Sequence, residues 1–119
     1  MKKFYFLGSC NTCQRILGQL NLDPDFKLKD IKKNPITTEE LAQLKALSGS
    51  YEALFSKRAM LYKKLGLKEK TLREVDFKDY ILEHYTFLKR PVLVFGDRIF
   101  IGNSAKVTEA AQIALLNEK

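Results

Sequence analysis

The chain has one histidine, His84, and two cysteines, Cys10 and Cys13, in 119 residues. That scarcity limits its chemistry. A structural zinc site takes four Cys or His ligands, and one copy of this chain supplies too few, so no metal is expected without a second copy. Nor can one cysteine pair build a disulfide scaffold. At 45% hydrophobic residues the chain can bury a core without covalent staples. It lacks any run near the roughly eighteen apolar residues of a membrane span, and the apolar stretch after Met1-Lys2-Lys3 is too short for a secretory signal. Internal repeats, linkers and low-complexity tracts are also missing. These absences predict one domain over residues 1–119, away from the membrane, in the cytoplasm where thiols stay reduced.

What the chain does have is the spacing Cys10-Asn11-Thr12-Cys13, directly after the apolar run Phe4-Tyr5-Phe6-Leu7. Two thiols two residues apart at a strand-to-helix junction point to redox chemistry. A helix starting at Asn11 or Thr12 places Cys10 at its N-terminal rim, where unpaired N–H groups and the positive dipole end favour a thiolate. Such thiols titrate at roughly 3.5–7.5 rather than near ~8.5. Cys10 is therefore the expected nucleophile. Cys13 shares a helical stripe with Leu17 and Leu20, which turns it toward the core as a sheltered resolving thiol. The competing readings are two small hydrophobes that happen to lie close, and half of a zinc site.

Along the chain, Lys3 to Leu7 reads as a buried strand and about Thr12 to Leu20 as a helix. Phe26 to Ile31 follows as a second strand, with Phe26 and Leu28 alternating with Lys27 and Lys29. The three form a βαβ unit, expected to be parallel. Thr37 and Glu40 form a capping-box signature ahead of a helix bearing Leu41, Leu44 and Leu47, with Gly49 its stop. Tyr51 to Gly66 reads as fragmented helix. Another helix near Asp76 is expected to bury Phe77, Tyr80, Ile81, His84 and Tyr85. Val92 to Phe95 and Arg98 to Ile101 flank Gly96-Asp97 as an antiparallel hairpin. A last helix follows Gly102-Asn103-Ser104, its inner stripe Val107, Ala110, Ala111 and Ala114.

The net charge is +7, which suits anionic substrates, acidic partners or nucleic acid. Without aromatic interleaving or a nucleic-acid motif, no direct nucleic-acid contact is expected. The cluster Lys63, Lys64, Lys68, Lys70 and Arg73 reads first as a solvated helix face, with a functional contact as the alternative. His84, on the expected apolar stripe, reads as a packed core residue rather than a catalytic one.

Four motifs in order carry a family resemblance: Gly8-Ser9-Cys10-Asn11-Thr12-Cys13, Phe55-Ser56-Lys57-Arg58-Ala59, Tyr62-Lys63-Lys64-Leu65-Gly66-Leu67 and Phe87-Leu88-Lys89-Arg90-Pro91. Nearly end to end the chain resembles the arsenate reductase (ArsC) and Spx family of thioredoxin-like proteins. The resemblance implies an α/β thioredoxin-like fold: βαβ, a helical insertion at about 36–88, then ββα, on a mixed four-stranded sheet. It implies that Cys10 attacks an oxyanion or forms a mixed disulfide, that Arg58 and Arg90 hold the anion near it, and that Pro91 is the cis proline of such folds. Guanidinium groups suit that role because they grip oxyanions bidentately and stabilise a thiolate.

The chain also departs from part of the family. Where glutaredoxin-coupled arsenate reductases carry a third arginine, it reads Ile101-Gly102-Asn103-Ser104. Those reductases often lack a cysteine at position 13, whereas Spx-type regulators carry the pair as a redox switch and bind the C-terminal domain of the RNA polymerase α subunit. The expected activity is a thiol oxidoreductase, monomeric and without a bound cofactor, acting on arsenate or a related oxidised substrate. Glutathione with glutaredoxin, or thioredoxin, would be the electron donor. A redox-sensing regulator on polymerase is the alternative, and a scaffold without activity the third reading.

Overall fold

β1 (Lys2–Phe6) buries Phe4 and Tyr5 completely and lies at the centre of the sheet. The computed structural model describes residues 1–118. It divides into two compact units, Met1–Asn34 with Arg90–Lys119, and Pro35–Lys89. Among the described residues no helix is long and apolar enough to cross a membrane.

In the first unit, β1 is followed by α1 (Asn11–Leu20) and β2 (Lys27–Asp30), then by β3 (Val92–Phe95), β4 (Arg98–Ile101) and α5 (Ala105–Asn117). The sheet order is β2-β1-β3-β4. β1 runs parallel to β2, with Phe4 opposite Leu28, and antiparallel to β3, with Phe4 opposite Leu93. This is the mixed four-stranded sheet of the sequence reading. Its hairpin turns at Gly96-Asp97, where Gly96 takes φ 59° and leaves Phe95 paired with Arg98. Phe4, Leu93 and Phe95 share one core with Ile16 and Leu20 of α1 and Ala111 and Ala114 of α5.

Two expectations in this unit need correction. Leu28 does not alternate inward with Phe26: it is 52% exposed, because β2 is an edge strand and only the flanking Phe26 and Ile31 are buried. The inner stripe of α5 is Thr108, Ala111 and Ala114; Ala110 is exposed and Val107 half-buried. Thr108 can be buried because its hydroxyl donates to the Ser104 carbonyl at 3.1 Å, which satisfies it within the helix.

The second unit carries α2 (Thr38–Ser48), α3 (Met60–Lys64) and α4 (Glu74–Glu83), with short 3₁₀ turns between and after them. The Thr37 hydroxyl accepts from Glu40 N–H at 3.1 Å while the Glu40 carboxylate accepts from Thr37 N–H at 3.0 Å, and Gly49 ends α2 at φ 94°. α4 begins two residues before Asp76, whose carboxylate accepts from Arg73 N–H at 2.8 Å. It also ends early. The backbone turns extended at His84 (φ −139°), so His84 and Tyr85 leave the apolar face of α4 and both are exposed. His84 is thus a surface residue, its ring edge-on to Phe87 at 6.1 Å.

Phe55 is the hub of this unit. Its ring stacks on Phe87 at 5.2 Å and meets Phe77 at 4.9 Å, Tyr62 at 5.9 Å and Tyr80 at 6.4 Å. Backbone bonds reinforce the stack: Ser56 N–H donates to the Phe87 carbonyl at 2.7 Å and Lys89 N–H to the Leu54 carbonyl at 2.8 Å. Glu74 adds a tie that no local pattern announced. Its carboxylate accepts from Tyr51 N–H at 2.7 Å and Glu52 N–H at 3.1 Å, capping a turn more than twenty residues away.

Candidate thiol site

The turn between β1 and α1 delivers Cys10 to the helix rim. Cys10 N–H donates to the Leu7 carbonyl at 3.0 Å, and Gln14 N–H donates to the Cys10 carbonyl at 3.1 Å, so Cys10 is the N-cap of α1. Its Sγ takes the place of a capping oxygen, accepting from Cys13 N–H at 3.5 Å. The Gln14 side chain fastens the turn from outside by donating to the Gly8 carbonyl at 3.1 Å. A Cβ at Gly8 would meet the end of the Asp30 side chain, which would have to swing aside to admit it.

The two thiols are free and differently placed, Cys10 half-buried and Cys13 fully buried. Partial burial alone would push the Cys10 pKa up. The Cys13 N–H, the Cys13 thiol, the Thr12 N–H and the charge of Arg90 together outweigh it, and the net direction is down. Cys13 goes the other way. Burial, the largest effect, pushes it up to about 11; the Leu7 backbone opposes this, the neighbouring Cys10 adds to the rise, and Arg90 opposes it least. The thiolate is thus favoured at Cys10 and disfavoured at Cys13, an asymmetry that suits attack by the first and resolution by the second.

Arg90 stands in the same unit as the cysteines and acts on both through its charge. Pro91 follows it across a cis peptide bond, and its carbonyl accepts from Gly102 N–H at 2.9 Å, which ties the residue to the loop after β4. Arg58 belongs to the second unit, where it is exposed in the segment before α3. A groove of about 400 Å³ between α1 and α5 is lined by Arg15, Gln19, Asn103, Glu109 and Gln112 among others, and neither cysteine lines it. No cluster of three or more His, Cys, Asp or Glu able to hold a metal occurs among the described residues.

These shifts set a pH dependence. Because the Cys10 pKa is shifted down from its ordinary value, its alkylation by iodoacetamide should reach half its maximal rate at a lower pH than that of an unperturbed cysteine, while Cys13 stays unreactive until the pH nears about 11. Arg90→Ala removes a positive charge that favours the thiolate, so the Cys10 midpoint should move up. Peptide mass spectrometry resolves the two sites, and an unmoved midpoint in Arg90→Ala would take that residue out of the site.

Fold and thiol pair together define a thioredoxin-like protein with a Cys-x-x-Cys pair at the N-terminus of its first helix. The chain belongs to the ArsC family, whose model matches residues 5–111. It is similar to the global transcriptional regulator Spx 2 of Bacillus anthracis, 29% identical over 105 residues that cover 86% of this chain and 79% of that one. The global transcriptional regulator Spx of Streptococcus pyogenes serotype M1 is 25% identical, with 86% and 78% covered. In three dimensions it is similar to arsenate reductase from Vibrio cholerae, with TM-score 0.75, 20% identity, and 92% and 93% of the two chains covered. That last likeness is one of fold.

Proposed function

We propose that the protein is a thiol-disulfide oxidoreductase of the ArsC family. The observation that carries this is the placement of the pair at the start of α1, with the half-buried Cys10 capping the helix through its Sγ, which accepts from Cys13 N–H at 3.5 Å, and Cys13 buried behind it. The Cys10 thiolate attacks an oxidised or oxyanionic substrate, arsenate or a relative of it, and forms a covalent adduct as a bond to the substrate's leaving group breaks; from arsenate an oxygen departs as water, its protons taken from solvent. Cys13 then gives up its proton and attacks the Cys10 sulfur. The Cys10–Cys13 disulfide forms, the bond from Cys10 to the substrate breaks, and the substrate leaves reduced by two electrons. Glutathione with glutaredoxin, or thioredoxin, returns two electrons to the pair. Arg90, and Arg58 as the family resemblance implies, hold the anion.

A second reading is a redox-sensing regulator that binds the RNA polymerase α subunit. It is favoured by the Spx proteins among the relatives and by the cysteine at position 13, and it uses the same disulfide as a signal rather than as a turnover intermediate. One experiment separates the two: arsenate-dependent oxidation of glutathione with added glutaredoxin, and with thioredoxin instead, beside a pull-down on the polymerase α C-terminal domain with reduced and oxidised protein. Turnover that Cys10→Ser abolishes supports the oxidoreductase. Redox-dependent retention without turnover replaces it with the regulator.

A further inference from the structure

The positive charge of this chain is concentrated. Residues 57–73 hold seven lysines and arginines against the single carboxylate of Glu69, so this stretch carries +6 of the net +7. Some of these cations have local roles. Lys57 pairs with Glu52 at 2.9 Å, Arg73 approaches Asp76 at 3.6 Å, and Arg58 is assigned above to the anion. The other four, Lys63, Lys64, Lys68 and Lys70, are exposed and make no ion pair among the described residues. A cluster of like charges without counter-charges repels itself, which costs stability unless something outside the chain supplies the anions.

Apolar side chains are exposed among these lysines. Met60 is 80% exposed, the highest value among the exposed large hydrophobic residues, and Leu65 is 48% exposed. Met60, Lys63 and Lys64 stand three and four residues apart on α3 and therefore share a face. The segment beneath them is anchored, since Ala59 and Leu67 are buried at its two ends. A merely solvated face has no use for an exposed methionine, and a phosphate backbone would be satisfied by the lysines alone. Base stacking is not on offer either, because the ring of Tyr62 is already engaged by Phe55. A flexible thioether beside cations suits a protein surface that presents carboxylates and apolar side chains together.

We propose that α3 and the turn after it, through Met60, Lys63, Lys64, Leu65, Lys68 and Lys70, form a docking surface for an acidic amphipathic segment of a partner protein. The lysines and Met60 lie outside the residues assigned to thiol chemistry, so the surface can be tested apart from it. The probes are a fluorescent synthetic peptide of glutamates and aspartates with leucines one helical turn apart, an oligoglutamate of equal charge, and a short mixed-sequence DNA duplex. Anisotropy titrations at low and near-physiological salt should show the leucine-bearing peptide bound most tightly, with affinity falling as salt rises. The double variant K63E/K64E should weaken it by at least roughly tenfold. M60S should weaken the leucine-bearing peptide by roughly threefold and leave the oligoglutamate unchanged. Far-UV circular dichroism and Cys10 alkylation should not change in either variant, since all three residues are exposed. Tighter binding of the duplex than of the peptide would overturn the proposal in favour of nucleic acid. Peptide binding indifferent to K63E/K64E or to M60S, or absent at low salt, would reduce the patch to a solvated face.

Discussion

Cys10→Ser should abolish thiol-dependent turnover, and Cys13→Ser should instead halt the protein as a stable covalent adduct on Cys10. The two outcomes differ because the two sulfurs do. Cys10 caps α1 with its Sγ, accepts Cys13 N–H and feels the charge of Arg90, so serine in its place removes the sulfur at the helix rim. A serine hydroxyl cannot replace that nucleophile, and the loss should exceed roughly a thousandfold. Cys13 is fully buried and its thiol is pushed up to about 11. It enters only after an adduct has formed, so its removal leaves the first step intact and blocks the second. Intact-mass spectrometry of Cys13→Ser after reaction with glutathione disulfide should find one glutathione on Cys10. Equal loss of activity in both variants with no trapped adduct would remove the division of labour.

Phe55→Ala should destabilise the fold by about 3–5 kcal/mol, the range for losing a fully buried phenylalanine ring. Four aromatic rings converge on Phe55, Phe87 in a near-parallel stack at 11° and Phe77, Tyr62 and Tyr80 at tilted or edge-on angles. Truncation leaves a cavity among these rings, and the backbone bonds of Ser56 to Phe87 and of Lys89 to Leu54 hold the segments on either side of it in place. Set against a typical total stability of roughly 5–15 kcal/mol, the loss would be a large share. Urea unfolding should show the midpoint falling at unchanged slope. A loss under about 1 kcal/mol would mean that the ring does not hold this unit together.

Phe55 also shows where reading residues in order stops being enough. Phe55 and Phe87 belong to two of the four family motifs, and their stack with the Phe55–Leu88 bridge brings those motifs together. No local pattern pairs residues so distant in sequence. Glu74 is a similar case: it looks like an ordinary first-turn acid of α4, yet it caps a turn near residue 51. His84 shows the reverse error. Periodicity placed it on a buried stripe, but α4 stops one residue earlier and the stripe stops with it.

Local chemistry alone determined the strand-to-helix junction at Cys10, the Thr37–Glu40 capping box, the Gly96-Asp97 hairpin and the Cys-x-x-Cys pair. Each depends on dihedral preferences and hydrogen bonds among residues a few positions apart, which spacing encodes directly. The tertiary structure decided which strand is an edge, and so why Leu28 is exposed. It decided that Thr108 rather than Ala110 faces inward, and that Arg90, eighty residues from Cys10, lends its charge to the thiolate. Burial and charge–charge effects depend on distance through space, and only the folded chain sets those distances.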